Sequence, residues 1–504
     1  MAGFMRIFCL MFCLCGVSTS LSSADDAPQH MPKKPNVVFF LVDDLGAMDI
    51  GAYNPDSFYE TPNVDQLAKS GVQFRQGYAA CCVCSPTRFS IMTGRYPVRN
   101  GCTNYFGGLR SERFNPAPLH EQLDLDEITL AKAFQEAGYQ TAFFGKWHLG
   151  PTAEFWPENQ GFDVNVAGCS AGAPSSYFAP YRNPRLPDGP DGEFLTERLT
   201  NEAVAQIKAM KDSPFFLYFS FYQVHVPLMA PEPLIEKYRQ KAQRLGLSTS
   251  QHELFSLEEQ TWPTDDPRLV RERQTHAVYA AMVESMDTAV GRVIEALREE
   301  CVLDNTIICF TSDNGGLSTA EGSPTSNLPL RAGKGWLYEG GHRVAYIIST
   351  PDGRHIESDV PVISTDFYPT LLDLAGLPMK PQQHLDGVSL KPIIDGTQTT
   401  LNRESLFWHY PHYANQGGFP GGVIRQGDWK LIRRYEDGCT QLYNLIADPS
   451  EQHDLSEAEP NRTQTLAAEL NRWLQSTGAQ FLREKDGVKP WQPENMQKTG
   501  RTTF

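Results

Sequence analysis

Residues 36–44 read Asn36-Val-Val-Phe-Phe-Leu-Val42-Asp43-Asp44. An apolar run with no polar alternation marks a strand buried on both faces, which is the environment of a parallel sheet. Pro35 closes the run on one side and two carboxylates close it on the other. Open α/β sheets bind ligands beyond the C-terminal ends of their strands, so Asp43 and Asp44 are placed for a site. Adjacent acids repel unless a cation lies between them, and hard oxygen donors suit Ca²⁺ or Mg²⁺. A pair of Asp residues that simply caps the next turn is the alternative reading.

Three later stretches repeat the arrangement. Gln140-Thr-Ala-Phe-Phe144 runs into Gly145-Lys146-Trp147-His148, Pro214 to Phe221 runs into His225, and Thr306-Ile-Ile-Cys-Phe310 runs into Ser312-Asp313-Asn314. Apolar residues at helical spacing lie between them: Leu130, Phe134 and Ala137; Leu199, Ala203, Ile207 and Met210, with Thr196 as the expected N-cap; Val283 to Leu297; and Leu371 to Leu377. Strand–helix alternation of this length predicts an α/β fold, a large mostly parallel sheet with helices on both faces. Residues 150–195, rich in Gly, Pro, Asn and Ser, read as an excursion over the mouth of the site, and 239–275 as a polar surface insertion. From about residue 400 the strands shorten. A small C-terminal antiparallel sheet is expected, followed by a helix on Leu466, Leu470 and Trp473 and a loosely held tail after about 485. The resulting division is 1–24 as a leader, 25–400 as the catalytic α/β domain, and 401–504 as an α+β subdomain.

A second packet, Cys84-Ser-Pro86-Thr87-Arg88 with Thr93-Gly94-Arg95 behind it, carries the chemistry. Pro86 restricts its neighbours and places Cys84 on a rigid turn just before a helix. A helix N-terminus there aims free N–H groups at an anion, with Arg88 as a forked donor one turn on. A disulfide cysteine on a loop is the plain alternative.

Cys-x-Pro-Thr-Arg followed by Thr-Gly-Arg resembles the signature of the type I, formylglycine-dependent sulfatases, which are arylsulfatase-like enzymes of the alkaline phosphatase superfamily. The resemblance spans roughly 35–455. It implies an alkaline phosphatase-like fold, conversion of Cys84 to formylglycine by a separate maturing enzyme, and hydrolysis of sulfate monoesters. It further implies one divalent cation, Ca²⁺ rather than Mg²⁺, held by Asp43, Asp44, Asp313, Asn314 and the converted Cys84. Arg88 and Lys146 match residues that position the formylglycine and neutralise sulfate, and His148 matches its hydrogen-bond partner. Asp313 would act as base, and His225 and Lys334 match the pair facing the leaving oxygen. Glu339-Gly-Gly-His342-Arg343 resembles a structural segment of the same family. A phosphatase or phosphodiesterase of the superfamily, and a sulfated-glycan binding protein with unconverted Cys84, are the rival readings. The segments 100–115, 165–185 and 408–420 match no specificity motif.

The bulk numbers are compatible with this. The 504 residues are 40% hydrophobic and 11% aromatic, and the net charge of −16 argues against a nucleic-acid partner. A sulfated small molecule or carbohydrate must therefore be captured by local positive charge. Arg6, an apolar run from Ile7 to about Val17 and Ser22-Ser23-Ala24 read as a secretory signal, too short for a membrane span. Export, to a periplasm, the medium or a lysosome, permits disulfides. Of the eleven cysteines, those at 81, 82, 84, 102, 169, 301, 309 and 439 lie beyond that leader, in no zinc-like spacing.

Overall fold

The computed structural model describes Met1 and residues 34–493, apart from residue 249 and residues 264–266. The expected signal segment therefore lies outside the described residues except for Met1. All seven residues of the strand Asn36–Val42 are buried. It sits inside an eight-stranded sheet whose strands run, by residue, 356–358, 72–74, 346–349, 306–312, 36–42, 215–220, 140–145 and 164–166. Every neighbouring pair is parallel except the two made by Tyr346–Ser349, so the sheet is mixed but mostly parallel.

Alternate residues of each strand feed opposite layers. Val38, Phe40 and Val42 join Leu217, Phe219 and Phe310 in a core closed by the 23-residue helix Ala277–Glu299 and by Leu195–Met210. Val37, Phe39 and Leu41 join Phe216, Tyr218 and Cys309 on the other face, under Cys84–Thr93, Leu130–Glu136 and Phe367–Leu374. Phe39 stacks on Tyr218 at 4.8 Å and meets the edge of Phe367 at the same distance. Burying each such side chain contributes about 1.5–3 kcal/mol. Continuous apolar strands are thus explained by helices on both sides.

Several expectations are corrected. Thr196 is not the N-cap of its helix; Phe194 holds that position, and the Thr196 carbonyl accepts from Thr200 one turn on. The glycine-rich excursion contributes the edge strand Val164–Val166, too short to show a period. The polar insertion folds into a hairpin, Phe255–Glu258 with Arg268–Arg271. Within the expected loose tail, Lys485 donates to the Glu112 carbonyl and Trp491 stacks on Tyr435 at 5.6 Å, while residues 494–504 lie outside the described residues. All eight cysteines are free thiols, so no disulfide is formed among the described residues. No helix among them is long and apolar enough to cross a membrane.

The antiparallel sheet comes as expected, in the order 405–410, 421–426, 429–434, 440–444, with Pro460–Ser476 against it. Its other side rests on the main sheet's loops. The Trp408 indole donates to the Ala79 carbonyl at 2.8 Å, and its ring meets Tyr78 edge-on. At this seam Lys430, 1% exposed, lies 3.0 Å from Glu339 and 2.8 Å from Glu451. Glu339 also has Arg343 at 2.7 Å, so removing Lys430 would leave Glu451 as the buried carboxylate stripped of its ion-pair partner, at a cost of about 3–5 kcal/mol. Lys430→Met is expected to lower the urea midpoint accordingly, whereas a surface pair such as Arg239 with Glu232 should be nearly neutral to the same treatment.

Candidate active site

Four adjacent strands end at one level. Val42 pairs with Ser312, Leu41 with Ser220, and Gly145 with Ser220, so residues 43–44, 146–148, 221–225 and 313–314 emerge along one edge. Asp43 and Asp313 continue that edge, their N–H groups donating to the carbonyls of Gln223 and Val42. Asp44 and His148 then turn through left-handed backbone, φ 62° and 56°. Such conformations cost of order 1–3 kcal/mol each and cluster at sites that need them.

Onto this edge comes the helix Cys84–Thr93, all ten residues buried. It begins at Cys84 itself, with Val83 as N-cap, rather than just after it. Pro86 falls in the first turn, where a backbone N–H has no intrahelical acceptor and its loss is harmless. Cys84 Sγ lies 3.5 Å from His148 Nδ1, and Ser85 Oγ lies 3.3 Å from the same nitrogen. Arg88 reaches forward: Nε and Nη2 stand 2.8 and 2.7 Å from Asp313 Oδ2, and Nη1 donates to Ser220 Oγ and the Lys146 carbonyl.

Alternating charge continues from there. Lys146 Nζ is 2.7 Å from Asp43 Oδ2, and Lys334 Nζ is 2.7 Å from Asp44 Oδ2. Asn314 donates to Asp44 Oδ1 at 2.9 Å. Lys334 also donates to His225 Nε2 at 3.1 Å, while His225 Nδ1 donates to the Val226 carbonyl. This hydrogen bonding leaves His225 neutral, and burial followed by the Lys334 charge pulls its pKa down to about 3. His148 is likewise held well below its ordinary value by burial, Lys146 and Arg88. Burial pushes the Asp43 carboxyl well up, against the pull of Lys146. For Asp44 the Lys334, His225 and Lys146 charges outweigh burial, and its pKa is lowered.

Every residue singled out in the sequence for this chemistry, Asp43, Asp44, Cys84, Arg88, Lys146, His148, His225, Asp313, Asn314 and Lys334, stands on this edge or borders it. Asp43, Asp44 and His225 also form a group able to hold a metal, their donor atoms within 4.8 Å of one another. Above them opens a cavity of about 400 Å³. Cys84, His148, His225 and Lys334 form its floor, and Tyr105, Phe106, Gly172, Glu321, Asn415 and Gln416 are among its walls. The wall residues carry no motif and were missed individually. Most fall within the three segments noted above, but Glu321 does not. Ser220, which holds Arg88, was missed as well; a strand serine gives no signal of its own.

A family profile described as Sulfatase matches residues 35–377, more than half of the chain. The chain belongs to the sulfatase family. A second profile, described as N-sulphoglucosamine sulphohydrolase, C-terminal, matches 332–480. A sulfatase of Formosa agariphila is 32% identical, over 90% of this chain and 91% of its own. Human arylsulfatase A is 29% identical, with 87% of each chain covered. The crystal structure of Ps i-CgsB with k-i-k-neocarrahexaose superposes with a TM-score of 0.69 at 28% identity, over 88% of this chain and 93% of that one. This sulfatase is a sulfuric ester hydrolase on an alkaline phosphatase-like fold.

In this sulfatase, Gly172 packs on the His148 ring. A Cβ there would lie 2.5 Å from His148 Cε1 and 2.7 Å from Nε2. Gly172→Ala must therefore displace the imidazole from position 84. We expect kcat/KM for a sulfate ester to fall by roughly 10², with the urea midpoint nearly unchanged because Gly172 lies on the cavity wall.

Proposed function

We propose that the chain hydrolyses sulfate monoesters of carbohydrates, through Cys84 converted to formylglycine and with one bound Ca²⁺, as an exported enzyme. The observation carrying this reading is position 84 itself. It opens a buried helix, faces His148, and lies within Coulomb reach of Lys146, Lys334, Asp313 and Asp43. An unconverted cysteine fits this place poorly, because burial pushes its thiol up and keeps it protonated and weakly nucleophilic.

The donor set fits a hard cation. Asp43 Oδ1 and Asn314 Oδ1 are both buried with no hydrogen-bond partner, beside the carboxylates of Asp44 and Asp313. Oxygen donors of this kind favour Ca²⁺ or Mg²⁺, and the imidazole grouped with Asp43 and Asp44, His225, already accepts from Lys334. Asp43, Asp44, Asp313 and Asn314, with the converted side chain at 84, are the residues that would hold it. When present, the formylglycine hydrate would supply a nucleophilic hydroxyl and the ion would supply positive charge for the sulfate oxygens.

The chain's own groups then divide the work. Arg88, locked by Asp313 and Ser220, and Lys146 present fixed positive charge where sulfate oxygens gain negative charge. Asp313, beside position 84 within Coulomb reach, takes the base role expected for the first step. Neutral His148 can accept a proton at Nδ1 from position 84 in the later one. On the opposite side the departing alcohol needs a proton. His225 was the expected donor, but its Nε2 lone pair is turned to Lys334, so we assign the proton to the Lys334–His225 pair. Relatives named for sulfated sugars support the substrate class: N-acetylgalactosamine-6-sulfatase of the dog is 32% identical over 75% of this chain. Among the described residues the group able to hold a metal, Asp43, Asp44 and His225, contains one imidazole, fewer nitrogen donors than a two-zinc phosphatase centre would use.

Two experiments test the reading. Protein from a host with a sulfatase-maturing enzyme should show peptide 84 carrying an aldehyde in place of the thiol, and Cys84→Ala should release no sulfate. Metal analysis should return one calcium per chain; wild-type turnover by Cys84→Ala, or two stoichiometric zinc ions, would overturn the proposal.

A second prediction separates the two sides of the site. A nitrophenolate leaves almost unaided, whereas a sugar alkoxide does not. His225→Ala should therefore cost roughly 10²–10⁴ in kcat/KM on a sulfated sugar and far less on nitrophenyl sulfate. Arg88→Ala should slow both alike. Equal losses for His225→Ala would make it a sulfate ligand instead.

A further inference from the structure

Glu321 brings a carboxylate to a cavity whose floor is cationic. It is exposed, held at φ 53° in a loop, and lines the same wall as Asn415 and Gln416. Asn415 Nδ2 and Gln416 Nε2 both donate to its Oε1, at 2.7 and 3.0 Å. Among the described residues Glu321 makes no ion pair, so its charge is not cancelled by a contacting lysine or arginine. It nevertheless lies near enough to Lys334 to help raise that ammonium's pKa, and near enough to raise that of Tyr105. Tyr105 itself donates to Asn415 Oδ1 at 3.4 Å.

The carboxylate therefore lines the same cavity as Lys334, the group assigned to the leaving oxygen. Groups on the sugar next to the scissile ester must face it. A sugar hydroxyl donates a charge-assisted hydrogen bond to a carboxylate. A second sulfate or a uronate carboxylate would instead meet like charge in a narrow cavity. Tyr105 and Phe106 add an aromatic wall suited to the C–H face of a pyranose. We propose that Glu321, positioned by Asn415 and Gln416, is a specificity-determining residue: it selects sugars whose sulfate has free hydroxyls beside it and rejects those with a second anion there. This rests on the sulfatase reading of the same site.

The test compares three substrates: nitrophenyl sulfate, a monosulfated hexose, and the same hexose with a second sulfate on the neighbouring carbon. Mature wild-type enzyme should prefer the monosulfated sugar to the disulfated one. In Glu321→Gln, kcat/KM on the monosulfated sugar should fall relative to that on nitrophenyl sulfate by roughly 10–100-fold, the range for losing a hydrogen bond to a charged group. Glu321→Lys should move the preference towards the disulfated sugar, and Asn415→Ala should weaken discrimination in the same sense as Glu321→Gln. A wild-type preference for the disulfated sugar would overturn the subsite alone, as would equal losses on sugar and nitrophenyl sulfate in Glu321→Gln. Mature enzyme that turns over none of the three would overturn the functional reading and the subsite with it.

Discussion

Six charged side chains, Asp43, Asp44, Asp313, Arg88, Lys146 and Lys334, are each 3% exposed or less. An unpaired ion at that depth costs several kcal/mol, and a pair recovers this only with good geometry. Here the signs alternate: Arg88 against Asp313, Lys146 against Asp43, Lys334 against Asp44. That arrangement exists only because four strands end in register, since a one-residue shift would turn each acid to the opposite face of the sheet. The parallel sheet is therefore a consequence of the apolar runs, and the charge lattice a consequence of the sheet. Two carbonyl-type oxygens left without partners inside it, on Asp43 and Asn314, mark where the lattice is open to a cation.

The antiparallel sheet at the C-terminal end is tied to this lattice through one short segment, residues 333–343. Lys334 reaches Asp44, while Glu339 five residues later is buried against Lys430. Between them Gly335 donates to the Cys82 carbonyl, just ahead of the helix Cys84–Thr93. Gly335 stands at φ 81°, and a Cβ there would lie 2.6 Å from Gln416 Oε1. Only glycine lets the 414–418 loop approach so closely. The same loop delivers Asn415 and Gln416 to the cavity wall, and Tyr410 and His412 hold Asn104 and Thr103 beneath Tyr105. Stability at the seam and the shape of the cavity thus depend on the same contacts.

Much of this was legible in the sequence, and for a definable reason. Asn36–Val42 and Thr306–Ser312 are buried on both faces, so their composition alone separates them from helices. The strand at 164–166 has three residues, and Tyr346–Ser349 runs antiparallel among parallel neighbours; neither length nor direction is written in a four-residue pattern. The helix start was placed just past Cys84 rather than at it, because proline signals a restriction without saying which side of the boundary it lies on. His225 was placed facing the leaving oxygen through the family resemblance, but its protonation depends on Lys334, 109 residues away, and on a carbonyl one residue on.

The unequal legibility of reaction and substrate has the same origin. Sulfate is a small, fixed object, and the residues proposed to meet it sit on strand ends and one helix, each marked by a short local motif. The leaving alcohol varies, and its wall is assembled from loops around residues 105, 172, 321 and 415. These share no element, so no spacing links them, and each residue taken alone is an ordinary surface glycine, tyrosine, glutamate or asparagine. Loops carried by a rigid scaffold can change without disturbing the buried charge lattice. The lattice itself cannot change piecemeal, because each charge is the neutralising partner of another. Chemistry held by mutual burial is constrained by energetics, whereas the loops that frame the cavity carry no such constraint.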